Sequence, residues 1–168
     1  ERLVAWIWEQ QALVGPLPAD DGHRYQVIFR GRPWGQERRP DFQGALLARD
    51  DGLLLRGDIE LHVRASDWKR HGHSRDDAYN SAVCQVVLWR DEAPTVQRQD
   101  GASIPTIELV TRLAAPISEL ERRAGLDTAP RPRPPELPCV RSDDDLIRPG
   151  HDDTMQRSIV SRVHKAPC

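Results

Sequence analysis

Alternating apolar and polar positions between Pro40 and Arg64 predict two β-strands joined by a tight turn. Segments 41–49 and 53–64 follow the two-residue period of a strand, and the Asp51-Gly52 dipeptide between them favours a type I′ hairpin turn. A turn at these two residues pairs Asp50 with Leu53 and sets the register of the hairpin. One face then collects the apolar side chains Phe42, Leu46, Ala48, Leu53, Leu55, Ile59, Leu61 and Val63, and the other collects the polar side chains Asp41, Gln43, Asp58, Glu60, His62 and Arg64.

Similar patterns predict the elements on either side of the hairpin. Segment 81–89 is almost continuously apolar, which is typical of a strand buried on both faces. Together the elements predict an α/β fold whose mixed β-sheet has a central antiparallel hairpin and flanking helices. The other expected elements are a helix over 1–14, a strand over 24–30, a short helix capped by Ser66 or Asp67, a turn at Asp100-Gly101, a strand from Thr106 and a helix from Pro116 to Gly125.

A change of composition after Leu126 divides the chain. We predict an α/β core over 1–126 and an extended connector over 127–139, where the segment TAPRPRPPELP is rich in proline. Residues 140–168 are expected to form a C-terminal tail with one short helix in DDTMQRSIVSRV. We also expect the sequence to stop there before a larger domain that its relatives would carry.

Composition excludes several classes of protein. The 168 residues are 38% hydrophobic and 30% charged, which is typical of a globular domain, and no apolar run approaches the roughly 20 residues that span a bilayer. Three scattered cysteines fit neither a disulfide framework nor a zinc ribbon, and no signal-peptide pattern is present. We therefore expect a cytoplasmic location. The net charge of −2 gives no global attraction to nucleic acid.

The polar face of the predicted hairpin carries the main candidate for chemistry. Asp58, Glu60 and His62 alternate along one strand, so their side chains form a row with a spacing of about 7 Å. In the predicted register Asp41 faces His62 across the hairpin. Such carboxylates can hold Mg²⁺ or Mn²⁺ and leave positions open for water and phosphate, although a polar outer strand face is the alternative. We predict Asp41, Glu60 and Asp58 as metal ligands, and Asp41, Glu60 and His62 as catalytic residues.

Two more histidines follow this strand in the segment HGH. His71 and His73 could contact substrate, bind a metal or protonate a leaving oxygen, or they could be surface histidines with local hydrogen bonds. Together with His62 they could instead form a Zn²⁺ or iron site. We include both among the candidate catalytic residues, as accessories to nuclease chemistry ahead of a zinc site.

Basic residues near the hairpin are candidates for nucleic-acid binding. Arginine outnumbers lysine in the chain, and its planar guanidinium donates two parallel hydrogen bonds to phosphate. A solvated charged surface is the alternative interpretation. The candidates are Arg38, Arg39, Arg64, Lys69 and Arg70.

Pro40-Asp41 and Glu60-x-His62 resemble the motif of the PD-(D/E)xK nuclease superfamily. There, a Pro-Asp begins one strand and a Glu-x-Lys lies on its hairpin partner, within a restriction-endonuclease-like core of order α-β-β-β-α-β. The resemblance implies a metal-dependent nuclease acting on nucleic acid, DNA rather than RNA. His62 stands at the lysine position, where it could activate water by acid–base exchange or bind the metal instead.

Several blocks between about Trp6 and Leu109 resemble a widespread bacterial family with no assigned function. The chain has PDF, GDIELHVRASDW, HGH, DDAYN and IPTIEL. Members of the family carry G-P-D-F, G-[DN]-[VI]-E-I-H, S-D-W, H-x-H, A-Y-N-N-V-I-L-H-V-V and I-P-T-L-E-L in the same order. The resemblance implies a shared fold and no established activity. The chain departs from the family at Arg39, where members have Gly, and at Gln85, where they usually have His, which leaves any role of that histidine open.

These patterns favour a divalent-metal-dependent nuclease with Mg²⁺ or Mn²⁺ as cofactor and nucleic acid as partner. Two other hypotheses stay open. One is a non-catalytic module on the same fold that binds nucleic acid or protein. The other is a histidine–carboxylate metalloenzyme with Zn²⁺ or iron and a substrate other than nucleic acid. The positions of Asp41 and Glu60 test the first hypothesis, because carboxylates on opposite faces could not share a metal.

Overall fold

The computed structural model describes residues 1–35, 39–91 and 96–126. The predicted connector at 127–139 and the predicted tail over 140–168 lie outside these described residues. The helices in the described ranges are α1 (Arg2–Gln10), α2 (Asp67–Arg70) and α3 (Ile117–Arg123). The strands are β1 (Leu17–Pro18), β2 (Arg24–Phe29), β3 (Arg32–Pro33), β4 (Phe42–Arg49), β5 (Leu54–Arg64), β6 (Ala82–Trp89), β7 (Val96–Gln97), β8 (Ser103–Ile104) and β9 (Thr106–Glu108).

A mixed sheet dominates the described part of the chain. Its strands lie in the order β1-β2-β4-β5-β6-β9, and β3 pairs with β4 beside this path. β2, β4 and β5 are antiparallel, whereas β6 pairs with β5 in parallel and β9 pairs with β6 in parallel. β7 and β8 form a separate antiparallel ribbon around the predicted Asp100-Gly101 turn. The mixed α/β fold with a central antiparallel hairpin is therefore confirmed, with a core that is mostly sheet.

The turn of the central hairpin is longer than predicted. The N–H of Arg49 donates to the carbonyl of Leu53 at 2.8 Å, so residues 50–52 form a three-residue turn. Gly52 ends this turn with φ at 91°, in the left-handed region that glycine adopts without steric cost. The two-residue type I′ turn predicted at Asp51-Gly52 is therefore wrong.

The longer turn and a β-bulge shift the register toward the site. Leu47 pairs with Leu55 near the turn, and an irregularity after Phe42 brings that residue opposite Ile59. Asp41 consequently lies beside Glu60, not opposite His62 as the predicted register required. Asp41 and Glu60, two of the three predicted metal ligands, are therefore closer neighbours than the predicted register implied.

The predicted apolar face of the hairpin is wrong in part for the same reason. Leu46 lies opposite Arg56, and Ala48 lies opposite the exposed Leu54. Leu47, which the predicted register assigned to neither set, is fully buried. A change of one residue in pairing moves a whole strand segment to the other face of the sheet.

The core lies between the sheet and the two longer helices. Val4, Ile7 and Trp8 of α1 and Leu120 of α3 pack into the same buried cluster as the strand residues. β6 is buried along nearly its full length, as predicted, and Cys84 on it is a core residue. No helix in the described ranges combines the length and apolar character needed to cross a membrane.

Helix α1 ends earlier than the apolar spacing predicts. Gln11 adopts a left-handed conformation with φ at 49°, and its N–H donates to carbonyls of the last helical turn, so the helix closes at Gln10. Leu13 instead forms a β-bridge with Leu113. The apolar residues beyond Gln10 therefore serve packing between segments and not the helix.

Candidate functional site

A cleft of 390 Å³ lies where α1, the start of β4 and the middle of β5 meet the loop that follows α2. Its lining includes two of the predicted metal ligands and two of the predicted histidines. Both carboxylates line this cleft, so they do not point to opposite faces of the hairpin. The lining residues are Glu1, Arg2, Ala5, Arg39, Asp41, Glu60, Leu61, His71, His73 and Tyr79.

Backbone groups hold the two carboxylates together. The N–H of Asp41 donates to Glu60 Oε2 at 3.1 Å, and the N–H of Leu61 donates to Asp41 Oδ2 at 2.9 Å. Each carboxylate therefore receives one backbone hydrogen bond from the strand of the other. This exchange fixes the two side chains and leaves Glu60 Oε1 free to face the histidines.

The environment of both carboxylates disfavours their charge. Burial raises the pKa of Glu60 to about 8. Burial also raises the pKa of Asp41 to about 7, with the nearby charge of Glu60 as the next cause. The side chains thus hold protons near neutral pH that a bound cation would displace, which is how a carboxylate site couples metal binding to proton release.

Two histidines converge on the free oxygen of Glu60. His73 Nε2 lies 3.2 Å from Glu60 Oε1, and His62 Nε2 lies 3.7 Å from the same oxygen. His62 is fully buried on β5, and its other ring nitrogen, Nδ1, accepts a hydrogen bond from Gln85 Nε2 at 2.9 Å. Burial lowers the pKa of His62 to about 3 and also lowers the pKa of His73, so both imidazoles are neutral at pH 7.

His71 completes a group of three imidazoles. Its ring centroid lies 5.0 Å from that of His62 and 5.6 Å from that of His73. One ligand atom from each of the three rings lies within 4.8 Å of the others, a spacing that a metal ion could bridge. His71 is more exposed than its partners and contacts Glu1 at 4.0 Å. The convergence of the three histidines, left open by the sequence, is thus a feature of the structure.

Two aromatic side chains enclose the histidines. The ring of Tyr79 stacks on His73 with a centroid distance of 3.8 Å, and the ring of Trp68 meets His62 and His73 edge-on. Trp68 is fully buried and donates from Nε1 to the carbonyl of Gln97 at 3.1 Å, which anchors the ring. A wall of this kind limits water access and keeps the rings oriented.

Sequence reasoning did not include Gln85 or Tyr79 among the candidate site residues. Gln85 lies on β6 and reaches His62 from the neighbouring strand, a parallel pairing that no local motif reveals. One signal was available in the sequence: Gln85 stands at a position where similar sequences usually have His. Tyr79 is buried, and the position of its ring over His73 gives it a place in the cleft wall.

Asp58 does not join the other predicted ligands. Its Oδ1 accepts from the N–H of Gly44 at 2.9 Å and its Oδ2 accepts from the hydroxyl of Ser81 at 2.6 Å. Gly44 lies at the bulge of β4 with φ at 66°, so the carboxylate fastens that bulge to the start of β6. These contacts give Asp58 a structural role, and the cleft lining does not include it.

The candidate nucleic-acid contacts divide into different environments. Arg39 is exposed, lines the cleft and lies over the ring of Trp34 at 5.4 Å. Arg70 forms an ion pair with Asp67 at 2.7 Å. Two further candidates, Arg64 and Lys69, are exposed but do not line the cleft, and Arg38 lies outside the described residues.

The fold and site define a mixed α/β domain with a carboxylate–histidine centre that is suited to binding a cation. The chain belongs to the family described as "Protein of unknown function (DUF2851)", whose model matches residues 1–166. Membership of an uncharacterised family is therefore confirmed. No curated protein and no solved structure matches the chain.

The titrating groups of the centre predict how stability depends on pH. Raised pKa values at Glu60 and Asp41 stabilise the fold at low pH, and this contribution is lost as pH rises to about 8. The lowered pKa values of His62 and His73 have the opposite effect, and most of that gain is reached by pH 6.5, the ordinary pKa of histidine. Between pH 6.5 and 8 the loss from the two carboxyl groups outweighs the remainder of that gain. We expect the free energy of unfolding of the metal-free protein to fall by about 1.5 kcal/mol through Glu60 alone, as urea titrations at the two pH values would measure.

Glu60→Gln provides the control for this pH dependence. The variant lacks the titrating carboxyl, so its unfolding free energy should change much less between the same two pH values. A wild-type stability that stays constant or rises over this interval, or an identical slope in the variant, would contradict the assignment.

Proposed function

We propose that this chain is a divalent-metal-dependent nuclease-like domain that hydrolyses phosphodiester bonds of nucleic acid, with DNA as the favoured substrate. The pairing of Asp41 with Glu60 carries the proposal, since adjacent strands present both carboxylates to one cleft with a backbone hydrogen bond on each. The succession of α1, three main antiparallel strands, α2 and β6 supports a restriction-endonuclease-like core as the finer description of the fold.

Asp41 and Glu60 would hold the cation, Mg²⁺ or Mn²⁺ by resemblance. A bound divalent cation polarises a phosphoryl oxygen and lowers the pKa of a coordinated water. The two carboxyl groups would release their protons as they ligate, because burial raises the pKa of each in the metal-free protein. Both would then act as fully charged ligands that face the substrate side of the cleft.

Three further residues would act around this pair. Arg39, exposed on the rim of the cleft, would bind a phosphate oxygen through its guanidinium. His73 lines the cleft beside Glu60, and its imidazole, which is neutral at pH 7, would contact the phosphate through a hydrogen bond. His62 is fully buried, so we assign it a positioning role through Glu60 in place of the direct contact with water expected at the lysine position.

A cleavage assay with Asp41→Asn tests the proposal. We expect the wild-type chain to cut single- or double-stranded DNA with Mg²⁺ or Mn²⁺, and to lose this activity in EDTA. Asp41→Asn keeps the shape of the side chain and removes its charge, so the rate should fall on the order of 10²–10³-fold. Asp77→Asn changes an exposed aspartate outside the cleft lining and should cut at the wild-type rate.

Two other outcomes would reject the nuclease proposal. Binding of DNA or RNA without cleavage, unchanged in Asp41→Asn, would favour a non-catalytic interaction module. Cleavage that persists in EDTA or in purified Asp41→Asn would assign the activity to another group or to a contaminant. RNA in parallel with DNA separates the two nucleic acids as substrates.

A further inference from the structure

Two buried imidazole nitrogens in the candidate site lack hydrogen bonds. Nε2 of His62 and Nε2 of His73 make none within the described part of the chain. The side chains are only 1% and 8% exposed, so bulk water does not compensate for the missing partners. Both nitrogens face Glu60 Oε1. A buried polar atom without a partner costs free energy, which points to a group that binds there.

The distances from Glu60 Oε1 to the two nitrogens match the spacing of ligands around a metal ion. Nitrogen and oxygen ligands bind Zn²⁺ at 2.0–2.2 Å, so two ligands in a tetrahedral arrangement lie about 3.4 Å apart. The oxygen of Glu60 lies 3.2 Å from His73 Nε2 and 3.7 Å from His62 Nε2. An ion between the three atoms would therefore need only small side-chain adjustments.

The chemistry of the donors selects the kind of ion. Mg²⁺ prefers oxygen ligands in an octahedral shell and keeps several waters. Imidazole is a ligand for Zn²⁺, iron, nickel and copper, and neutral rings are required for binding. Two imidazoles and one carboxylate, enclosed by the rings of Trp68 and Tyr79, form a donor set for a transition-metal ion.

We propose that Glu60, His62 and His73 bind a transition-metal dication of the zinc type. The more exposed His71, with a ligand atom within 4.8 Å of the other two rings, supplies an exchangeable fourth ligand. Release of His71 opens a coordination position for water or substrate, as catalytic zinc sites require. The inference rests on the proposed function only in that both concern the same cleft. The metal differs, since a zinc-type ion prefers imidazole ligands and Mg²⁺ prefers oxygen ligands.

Metal titration of the full chain tests this inference without an activity assay. After removal of metal with chelator, calorimetry should give one site for Zn²⁺ with a dissociation constant at least 100-fold lower than that for Mg²⁺. Co²⁺ should bind at the same site and develop the visible absorption of a four- or five-coordinate ion. Weak Zn²⁺ binding comparable to that of Mg²⁺ would overturn the proposal.

Single variants locate the site. His62→Ala and His73→Ala should each weaken Zn²⁺ binding by 100-fold or more, and His71→Ala should weaken it by only about tenfold. His23→Ala, which removes a half-buried histidine paired with Asp50 and far along the chain from the site, should bind Zn²⁺ as the wild type does. His73→Gln guards against misfolding, because it keeps a polar side chain while removing the imidazole, and circular dichroism checks each variant. Wild-type Zn²⁺ affinity in folded His62→Ala or His73→Gln would overturn the proposal.

The results separate this inference from the proposed function. Tight Zn²⁺ binding that depends on His62 and His73, without cleavage of any nucleic acid, would support the inference and reject the nuclease. Mg²⁺-dependent cleavage in a chain that does not bind Zn²⁺ would support the nuclease and overturn the inference.

Discussion

Glu60→Gln should reduce metal-dependent cleavage on the order of 10³-fold, the largest effect expected from a single substitution in this chain. Glu60 is the residue on which the site converges: its Oε2 accepts from the N–H of Asp41, and its Oε1 faces both His62 and His73. Glutamine has nearly the same shape and can keep the hydrogen bond to Asp41. It removes the negative charge that the ion requires, so initial rates at saturating metal measure the loss directly.

The same variant should be more stable than the wild type at pH 8 when no metal is present. A carboxylate that is 6% exposed and has a pKa raised by burial costs free energy when it ionises, and glutamine avoids that cost. Loss of activity together with a gain in stability distinguishes a functional residue from a structural one. Glu121→Gln on α3, outside the cleft lining, is the matched control for both measurements. A Glu60→Gln protein that cuts at the wild-type rate would contradict the role.

Local patterns predicted the elements of the fold better than they predicted register. The alternation along β4 and β5, the apolar run of β6 and the proline before α3 all identify elements within a few residues of their bounds. The hairpin turn depends on whether one more residue enters the loop, and the Asp51-Gly52 dipeptide fits either choice. That extra turn residue and the β-bulge after Phe42 together decided whether Asp41 meets His62 or Glu60.

The site shows the same division between local and distant information. Glu60 and His62 could be predicted as site residues because they share one strand. Asp41 could be predicted because a hairpin brings it next to that strand. Asp58 was nominated by the same alternation, but the β-bulge at Gly44 draws its carboxylate into a structural hydrogen bond. A bulge changes the direction of one side chain without leaving a periodic signal.

Contacts made through the parallel pairing of β5 and β6 could not be predicted from either strand alone. His62 meets Gln85 because the two strands lie side by side after an intervening segment that carries α2 and the HGH loop. The same segment places His71 and His73 beside His62 on β5, so residues from a loop and a strand form one cluster. Pairing between distant strands is a tertiary property, so its consequences appear only in the folded chain.

Gln85 should set the metal affinity of the site through the tautomer of His62. Its Nε2 donates to His62 Nδ1 at 2.9 Å and to the carbonyl of Ala65 at 3.3 Å. In this arrangement Nδ1 accepts, so the proton of the neutral ring lies on Nε2, the atom that would bind the ion. For Nε2 of His62 to bind the ion, the ring proton must lie on Nδ1, and Nδ1 then needs a hydrogen-bond acceptor. The side-chain amide of Gln85 provides that acceptor when it rotates to point its oxygen at the ring. This rotation breaks the hydrogen bond from Gln85 Nε2 to the carbonyl of Ala65.

Two substitutions of Gln85 should therefore shift Zn²⁺ affinity in opposite directions. Gln85→Glu presents only acceptor oxygens to Nδ1 and favours the ligating tautomer, so we expect the dissociation constant to fall about tenfold. Gln85→Leu fills the same space without a partner for Nδ1, and the dissociation constant should rise by about 10–100-fold. Competition titrations with a chromophoric chelator measure both, and thermal melts in EDTA verify the fold. Because Gln85 does not line the cleft, a merely structural role would lower stability in both variants and move both affinities in the same direction. Opposite shifts would identify Gln85 as a positioning residue that acts through His62.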